Sequence, residues 1–493
     1  MSGPRERDFP LIFERSKPGR RGVVPPQASD ARTADLAALL GEENLRAAPP
    51  ALPEVSELDL VRHYKGLARR QFSVDGNFYP LGSCTMKYNP KVHEAVAPWF
   101  AGLHPYQDPA TVQGALQLMH ELQEMLGAVT GMDGVTLQPA AGAHGEFTGI
   151  LAIRAYHRSR GEADSRGVVL VPDAAHGTNP ATAAMAGYEV QEVPGTANGE
   201  VDFEAMEAAL GEHVAAVMLT NPNTLGIFET RILDISRRAR EKGVQLYYDG
   251  ANANAIVGRA RPGDMGFDVI HLNLHKTFTV PHGGGGPGTG PVGVKKHLEP
   301  FLPFPVVVRE GDSYRLDFDR PQSIGRVRSH YGNFGNLVRA YAYIRSLGPD
   351  GLRDVADKAV LNANYLRVRL REAGFETAVD RVNMHEFVAR PPQGTRTLDI
   401  AKALLDYGVH PMTVYFPLVV PEAMMVEPTE TESLETLDDY AATLREIRER
   451  AEQDPEWLHG APYTTPVRRL DEVAAAKKPL LTYRKLRDAG GAQ

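Results

Sequence analysis

An α/β fold on a mostly parallel sheet, followed by a smaller α+β domain, is predicted by three features of this 493-residue chain. From residue 134 to about 273, short β-branched runs alternate with helical segments, the pattern of βα units with buried strands. Polar residues able to do chemistry follow these runs directly, where open α/β sheets bind their ligands. Near 335 the alternation gives way to a long helical stretch and a few separate strands. At on the order of 100–200 residues per domain, the length also calls for more than one core. The expected organisation is an N-terminal arm and linking segment over 1–90, a large ligand-binding domain over 91–330, a small domain over 331–450 and a tail over 451–493.

The elements follow in order. Residues 1 to about 60 are rich in Pro, Arg and Ala and contain RSKPGRR, which reads as a solvated arm or a segment that drapes over a partner. VQGALQLMHELQEMLGA has apolar residues at helical spacing. Then come GVTLQ and EFTGILAIRAYHRSR, GVVLVP and ATAAMAG, HVAAVMLT and ILDISRRAREKG, then VQLYYD, DVIHLN and PVGV. RAYAYIRSL and VLNANYLRVRLREAG carry the long helical stretch. MHEFVARPP, LDIAKALLDYG and TVYFPLVV form the small domain, and ETLDDYAATLREIRERAEQ is a charged amphipathic helix.

Composition narrows the function classes. A net charge of −8 argues against non-specific nucleic-acid binding. The single cysteine, Cys84, permits no intrachain disulfide and no cysteine-based zinc cluster, and no other metal site is expected. The opening residues have no apolar core of signal-peptide length, and no stretch approaches the ~20 apolar residues of a membrane span. A cytoplasmic enzyme that contacts neither membrane nor nucleic acid is the expectation.

VIHLNLHKTFTVPHGGGGPGTGPVG, residues 269–293, poses the chemical question. Its glycines cradle a phosphate, or they give backbone clearance around a cofactor bound covalently by Lys276. A P-loop places lysine directly after the last glycine, but Thr289 follows Gly288 and Lys276 precedes the run. Gly283, Gly285 and Gly288 satisfy G-x-G-x-x-G, yet the apparent strand PVGV follows where that fingerprint opens a helix. The covalent reading needs an acid to keep a pyridine nitrogen protonated, and Asp249 supplies one at the end of VQLYYD. Either residue alone reads as a surface lysine or a capping aspartate; at successive strand ends the pair favours chemistry.

The pattern resembles fold-type I pyridoxal phosphate enzymes, and the resemblance implies a mostly parallel, seven-stranded sheet. It also implies roles. His176 in VPDAAHGTNP would stack on the cofactor ring, and His275 would contact its phosphate. Ala143 and His144 in AAGAHGEF would begin a phosphate-binding helix. Asn252 and Asn223 would tune the phenolate oxygen, with Asn221 or Thr224 as alternatives to Asn223 in the NPNT turn. More narrowly, YPLGSCTMKYNP, AHGTNPATAAMAG, MLTNPNTLGIFE, YYDGANANA, NLHKTFTVPHGGGGPG, VEPTETES and APYTTPVRR look like glycine decarboxylase, the P-protein of the glycine cleavage system. They match its C-terminal half, as in subunit 2 of the split two-subunit form. The resemblance implies pyridoxal 5'-phosphate bound covalently to Lys276, decarboxylation of glycine, transfer of the aminomethyl group to lipoylated H-protein, and a homologous subunit 1 as partner. The glycines after Lys276 would form a flexible wall. Cys84, Tyr79, His104 and Tyr106 read more simply as packing residues, and His385 and Glu386 receive no role. Another fold-type I activity, such as aminotransfer or desulfuration, and a cofactor-free partner subunit are the competing readings.

Overall fold

Two compact units, Met1–Ser73 and Val74–Gln493, make up the chain. The computed structural model describes residues 9–26, 35–281 and 288–488. In the first unit, α1 (Leu36–Leu40) and α2 (Glu57–Ala68) are short. Residues 9–20 fold back onto α2: the Phe9 ring lies 5.0 Å from His63, with the guanidinium groups of Arg15 and Arg70 at 5.2 and 4.9 Å from its centre. Cation–π contact and ring packing thus give part of the expected arm a local structure.

In the second unit α3 (Lys91–Val96) and α4 (Gln113–Thr130) lead into a seven-stranded sheet. Its strands are β1 (Gly134–Thr136), β2 (Val168–Pro172), β3 (Glu189–Val193), β4 (Val214–Thr220), β5 (Gln245–Gly250), β6 (Val269–Leu272) and β7 (Val292–Val294). Their spatial order is β1-β7-β6-β5-β4-β2-β3. The pairs β3/β2, β2/β4, β4/β5 and β5/β6 are parallel; β7 runs antiparallel to both neighbours. Helices α5 (Gly142–Ser159), α6 (Thr178–Met185), α7 (Phe203–Ala209) and α8 (Ile232–Glu241) fill the connections.

Strand alternation sorts the side chains onto two faces. Leu246, Tyr248, Ile270 and Leu272 join the core that includes Leu122 and Leu126 of α4. Tyr247 and Val269 join the opposite core, with Ile150 and Ile153 of α5. Asp249 and His271 therefore share the α5 side with Tyr247. A hairpin, β8 (Val306–Glu310) and β9 (Ser313–Asp317), follows the sheet and was not foreseen from the sequence.

The expected long helix is α9 (Phe334–Glu372), interrupted at Gly348, whose φ is +64°, ahead of Pro349. A left-handed glycine and a proline without an N–H make two helices of one apolar pattern. The second half packs with α10 (Thr397–Asp406), α11 (Leu434–Gln453) and α12 (Pro455–Gly460) around Leu366, Phe387 and Leu444. These cover an antiparallel sheet of β10 (Glu376–Thr377), β11 (Phe387–Arg390), β12 (Thr413–Val414) and β13 (Met424–Val426), ordered β10-β11-β13-β12. Leu81 bridges to Val426, bringing the segment before α3 onto this sheet. Among the described residues no helix is long and apolar enough to cross a membrane.

Candidate active site

Asp249 and His271 are register partners on β5 and β6, and both are buried. Asp249 Oδ1 lies 3.2 Å from His271 Nε2 and accepts the Ala251 N–H at 2.9 Å, while Oδ2 accepts from the Asn179 amide at 3.0 Å. Burial by itself would raise this carboxyl, but His271, His176 and Asn179 outweigh it and hold Asp249 well below the usual range. His271 moves the opposite way: burial opposes its charge, yet Asp249 and Glu146 lift it above an ordinary imidazole. The two form a buried ion pair, with Tyr247 Oη 3.0 Å from the other ring nitrogen of His271.

The α5 and α6 starts complete this side. Glu146 of α5 accepts from Thr178 Oγ1 at 2.7 Å and Asn179 Nδ2 at 2.9 Å. Thr178 Oγ1 also lies 2.9 Å from His176 Nδ1, and the His176 ring packs edge-on to Phe416. Burial lowers the His176 imidazole although the charge of Asp249 pulls it up. A chain of polar contacts thus sets the His176 ring by way of the residues that hold Asp249.

Lys276 follows β6 and is buried; among the described residues its amine has no hydrogen-bond partner. The start of α5 reaches the same place. Its first internal bond is Gly145 N–H to Ala141 carbonyl, and no side chain caps it. The N–H groups of Gly142, Ala143 and His144 therefore have no acceptor within the helix, which suits an anion. Glycines allow the approach: a Cβ on Gly142 would come 2.0 Å from Asn273 Oδ1, and one on Gly290 2.0 Å from the Ala141 carbonyl. Gly288, at φ +72°, lies so close to His275 that a Cβ would meet its Nδ1 at 2.4 Å. Gly283, Gly284 and Gly285 lie outside the described residues. Asn273 Oδ1, Thr277 Oγ1 and Thr289 Oγ1 are buried without described partners. Arg328 adds a cation here, its charge lowering His144 after burial has done so.

The opposite wall comes from the small sheet and residues 83–87. Glu386 and Glu427 are fully buried. Glu386 accepts the Ser83 N–H at 2.8 Å and the Asn252 amide at 3.2 Å; Glu427 accepts the Thr85 N–H at 3.0 Å and hydroxyl at 2.6 Å. Ser83 and Thr85 have φ of 64° and 44°, so the clasped arch is strained backbone held by these acceptors. Burial, followed by the charge of Glu427, pushes Glu386 up to about 8. Burial takes Glu427 up to about 7 against the opposing pull of Thr85 and Lys276. His385 beside them is pushed down to about 3 by burial, then by Lys276 and Lys87. Lys87, also buried, bonds Glu430 at 2.6 Å and both Asn254 and the Thr277 carbonyl at 2.8 Å, tying this arch to the lysine loop.

Of the expected site residues, Lys276, Asp249, His176, His275, Ala143 and His144 gather around the carboxyl ends of β2, β5 and β6 and the start of α5. Asn252 donates to the Pro222 carbonyl and to Glu386. Asn223 is occupied by its own turn, donating to Gly199 and accepting the N–H groups of Leu225 and Ile227. Thr224 donates to the Ala174 carbonyl, whereas Asn221 keeps a buried Nδ2 with no described partner.

A protein of Thermus thermophilus named "Probable glycine dehydrogenase (decarboxylating) subunit 2" is 65% identical over 479 residues, covering 96% of this chain and 99% of that one. The chain belongs to the glycine dehydrogenase (decarboxylating) subunit 2 family. A member from Halalkalibacterium halodurans is 58% identical, covering 97% and 99%. The model of the glycine dehydrogenase C-terminal domain matches residues 355–457, and that of class-V aminotransferases matches 150–305. A crystal structure of inhibitor-bound glycine decarboxylase (P-protein) superimposes with TM-score 0.71 at 24% identity, over 84% of this chain and 94% of that one. The cysteine desulfurase of Thermococcus onnurineus follows the same fold, with TM-score 0.61 at 16% identity, over 76% and 96%. The fold is thus that of fold-type I pyridoxal phosphate enzymes.

In this subunit 2 family member, His271, Glu146, Asn179, Arg328, Lys87 and the Glu386–Glu427 pair are site features that sequence reasoning missed. A signal existed for some of them. His271 interrupts the apolar run VIHL, and Glu427 ends the apolar run MMV; charges at those places need a buried partner.

Proposed function

We propose that this chain is the cofactor-bearing subunit of a glycine decarboxylase. It removes carbon dioxide from glycine and passes the aminomethyl group to the lipoyl arm of H-protein, with a homologous subunit 1 as partner and the cytoplasm as its place of work. The observation that carries this reading is the buried Asp249–His271 pair at the carboxyl end of the sheet, with Lys276 directly after β6.

The residues present fit pyridoxal phosphate. Lys276 would hold it covalently, and Asp249, kept ionised by His271, would hold its ring nitrogen protonated. The uncapped α5 start, with Ala143 and His144, would take the phosphate beside His275, and the orphaned hydroxyls of Thr277 and Thr289 supply further donors. His176, braced by Thr178, would press on the ring. The uncommitted amide of Asn221 is a better phenolate donor than Asn223 or Asn252, whose amides are engaged. Bound there, the cofactor supplies a sink for the electron pair left as carbon dioxide departs. Lys276 moves protons at its Nζ, and the buried walls keep water from the reacting carbon.

Desulfuration fits less well. A desulfurase needs a thiolate nucleophile, whereas burial pushes the Cys84 thiol up. Exchange of labelled bicarbonate into glycine, with subunit 1 and lipoylated H-protein present, tests the activity; no exchange with all components present would sink it. Borohydride should fix the cofactor on the Lys276 peptide and leave the Lys276→Ala chain unlabelled.

A further inference from the structure

We propose that Glu386 and Glu427 hold one proton between them and deliver it to the lipoyl sulfur that departs when the disulfide opens. This rests on the reading that the aminomethyl acceptor is a lipoyl disulfide.

The argument begins with geometry. Both side chains have no exposed surface, and oxygens of the two carboxyls and a ring nitrogen of His385 all lie within 4.8 Å of one another. Their hydrogen-bond donors are neutral: the Ser83 and Thr85 N–H groups, the Thr85 hydroxyl and the Asn252 amide. Among the described residues no lysine or arginine makes an ion pair with either carboxyl; His385 alone approaches, at 4.0 and 3.9 Å. Two like charges in one dry pocket without a bound counter-cation do not both ionise, so a proton stays on the pair.

His385 does not take that proton. Among the described residues neither of its ring nitrogens has a hydrogen-bond partner, and burial, Lys276 and Lys87 all oppose its charge. Glu430, the third acid facing this group, is already paired with Lys87. Glu386 accepts from Asn252, three residues past Asp249, and Lys87, two residues past the Thr85 that holds Glu427, bonds the Thr277 carbonyl next to Lys276, so the pair borders the cleft where Lys276 works. A departing alkyl thiolate is a stronger base than a carboxylate, so a proton held on the pair passes toward the sulfur.

The step balances. Electrons released as carbon dioxide leaves form a C–S bond from the aminomethyl carbon to one lipoyl sulfur, and the S–S bond breaks. The second sulfur leaves with the bond pair and takes the proton of the glutamate pair, becoming a thiol. The glycine carbon is oxidised and the disulfide reduced; the pair recovers its proton from water after the product departs.

Infrared difference spectra of the loaded two-subunit enzyme, wild type against Glu386→Gln and Glu427→Gln, test the shared proton. The wild type should show a protonated-carboxyl stretch that shifts in heavy water, and in each variant it should titrate away at a lower pH than in the wild type, because the remaining glutamate keeps its burial but no longer faces a second carboxylate. Single-turnover transfer to lipoylated H-protein should slow at least about tenfold in Glu427→Gln and lose its solvent isotope effect, while the bound cofactor's spectrum stays as in wild type. No such band in the wild type, or a band whose titration is unmoved in both variants, would overturn the shared proton even with bicarbonate exchange intact. A band with undiminished transfer in Glu427→Gln would overturn the delivery. A band without exchange in the wild type would overturn the proposed activity and the delivery with it.

Discussion

His271 Nε2 stands 3.2 Å from Asp249 Oδ1, across two neighbouring parallel strands in register. Both groups are buried, and each shifts the other toward its charged form. Removing one partner of such a pair strands the other. His271→Ala should lower the stability of the cofactor-free subunit by about 3–5 kcal/mol, measured by denaturant unfolding. The raised imidazole contributes fully below its unfolded value of ~6.5 and is lost as pH rises through its folded value. The depressed carboxyl contributes above its unfolded ~3.9. The deficit of the variant should therefore be largest between about pH 4 and 6.5 and shrink at alkaline pH. A deficit independent of pH would mean that packing, not charge, is lost.

Glu386 and Glu427 carry the opposite sign. Unfolded glutamates titrate near ~4.3, well below the values held in the folded chain. Between these limits the unfolded chain sheds protons that the folded one keeps, so stability falls as pH rises. Glutamine is neutral in both states. Relative to wild type, Glu427→Gln should gain about 1–3 °C in melting temperature on going from pH 5 to pH 9. An equal difference at both pH values would refute the raised carboxyls.

Lys87 joins five parts of the chain: its own arch, Asn254 after β5, the Thr277 carbonyl, Glu430 and, at 3.5 Å, the Tyr343 hydroxyl of α9. Lys87→Met leaves the Glu430 carboxylate, whose side chain is largely shielded, without its cation, at a cost of up to about 3–5 kcal/mol. Adding Glu430→Gln should restore part of that loss. A double variant no more stable than Lys87→Met alone would show that the remaining contacts carry the effect.

Asp399, fully buried, is gripped by Arg396, by His459 Nδ1 at 2.9 Å and by Arg469 at 2.7 Å. The Arg469–Asp399 pair fastens the segment after α12 to α10, and Arg469 also donates to the Ala461 carbonyl within that segment. Loss of charge-assisted bonds worth about 1.5–3 kcal/mol should open it. Asp399→Asn should speed limited proteolysis beyond residue 460 by about 10–100-fold, with cleavage elsewhere unchanged. Unaltered digestion would locate the restraint in other contacts.

Gly290 touches the Ala141 carbonyl too closely for a side chain. Gly290→Ala should push the α5 start away from the lysine loop and weaken pyridoxal phosphate binding at least about tenfold, read by titration of the cofactor's absorbance. Unchanged binding would remove the α5 start from the phosphate site.

The chain's local patterns carry much of this. Alternating apolar runs and helices specify the parallel sheet, and the residues directly after the runs, Asp249 and Lys276 above all, mark its ligand-binding end. These features are legible because strand periodicity and turn chemistry act over neighbouring residues. The partners are not. His271 meets Asp249 only through the register of β5 and β6, and Glu146 and Asn179 arrive because α5 and α6 pack on that face. Glu386 and Glu427 lie far along the chain from Lys276, and the strained arch at 83–85 reaches them only once the small sheet has formed. The interruption at Gly348 hides within a helical pattern for the same reason. Burial, which turns ordinary carboxyls into an ion pair on one wall and a proton-holding pair on the other, is a property of the assembled core, and no short window of sequence encodes it.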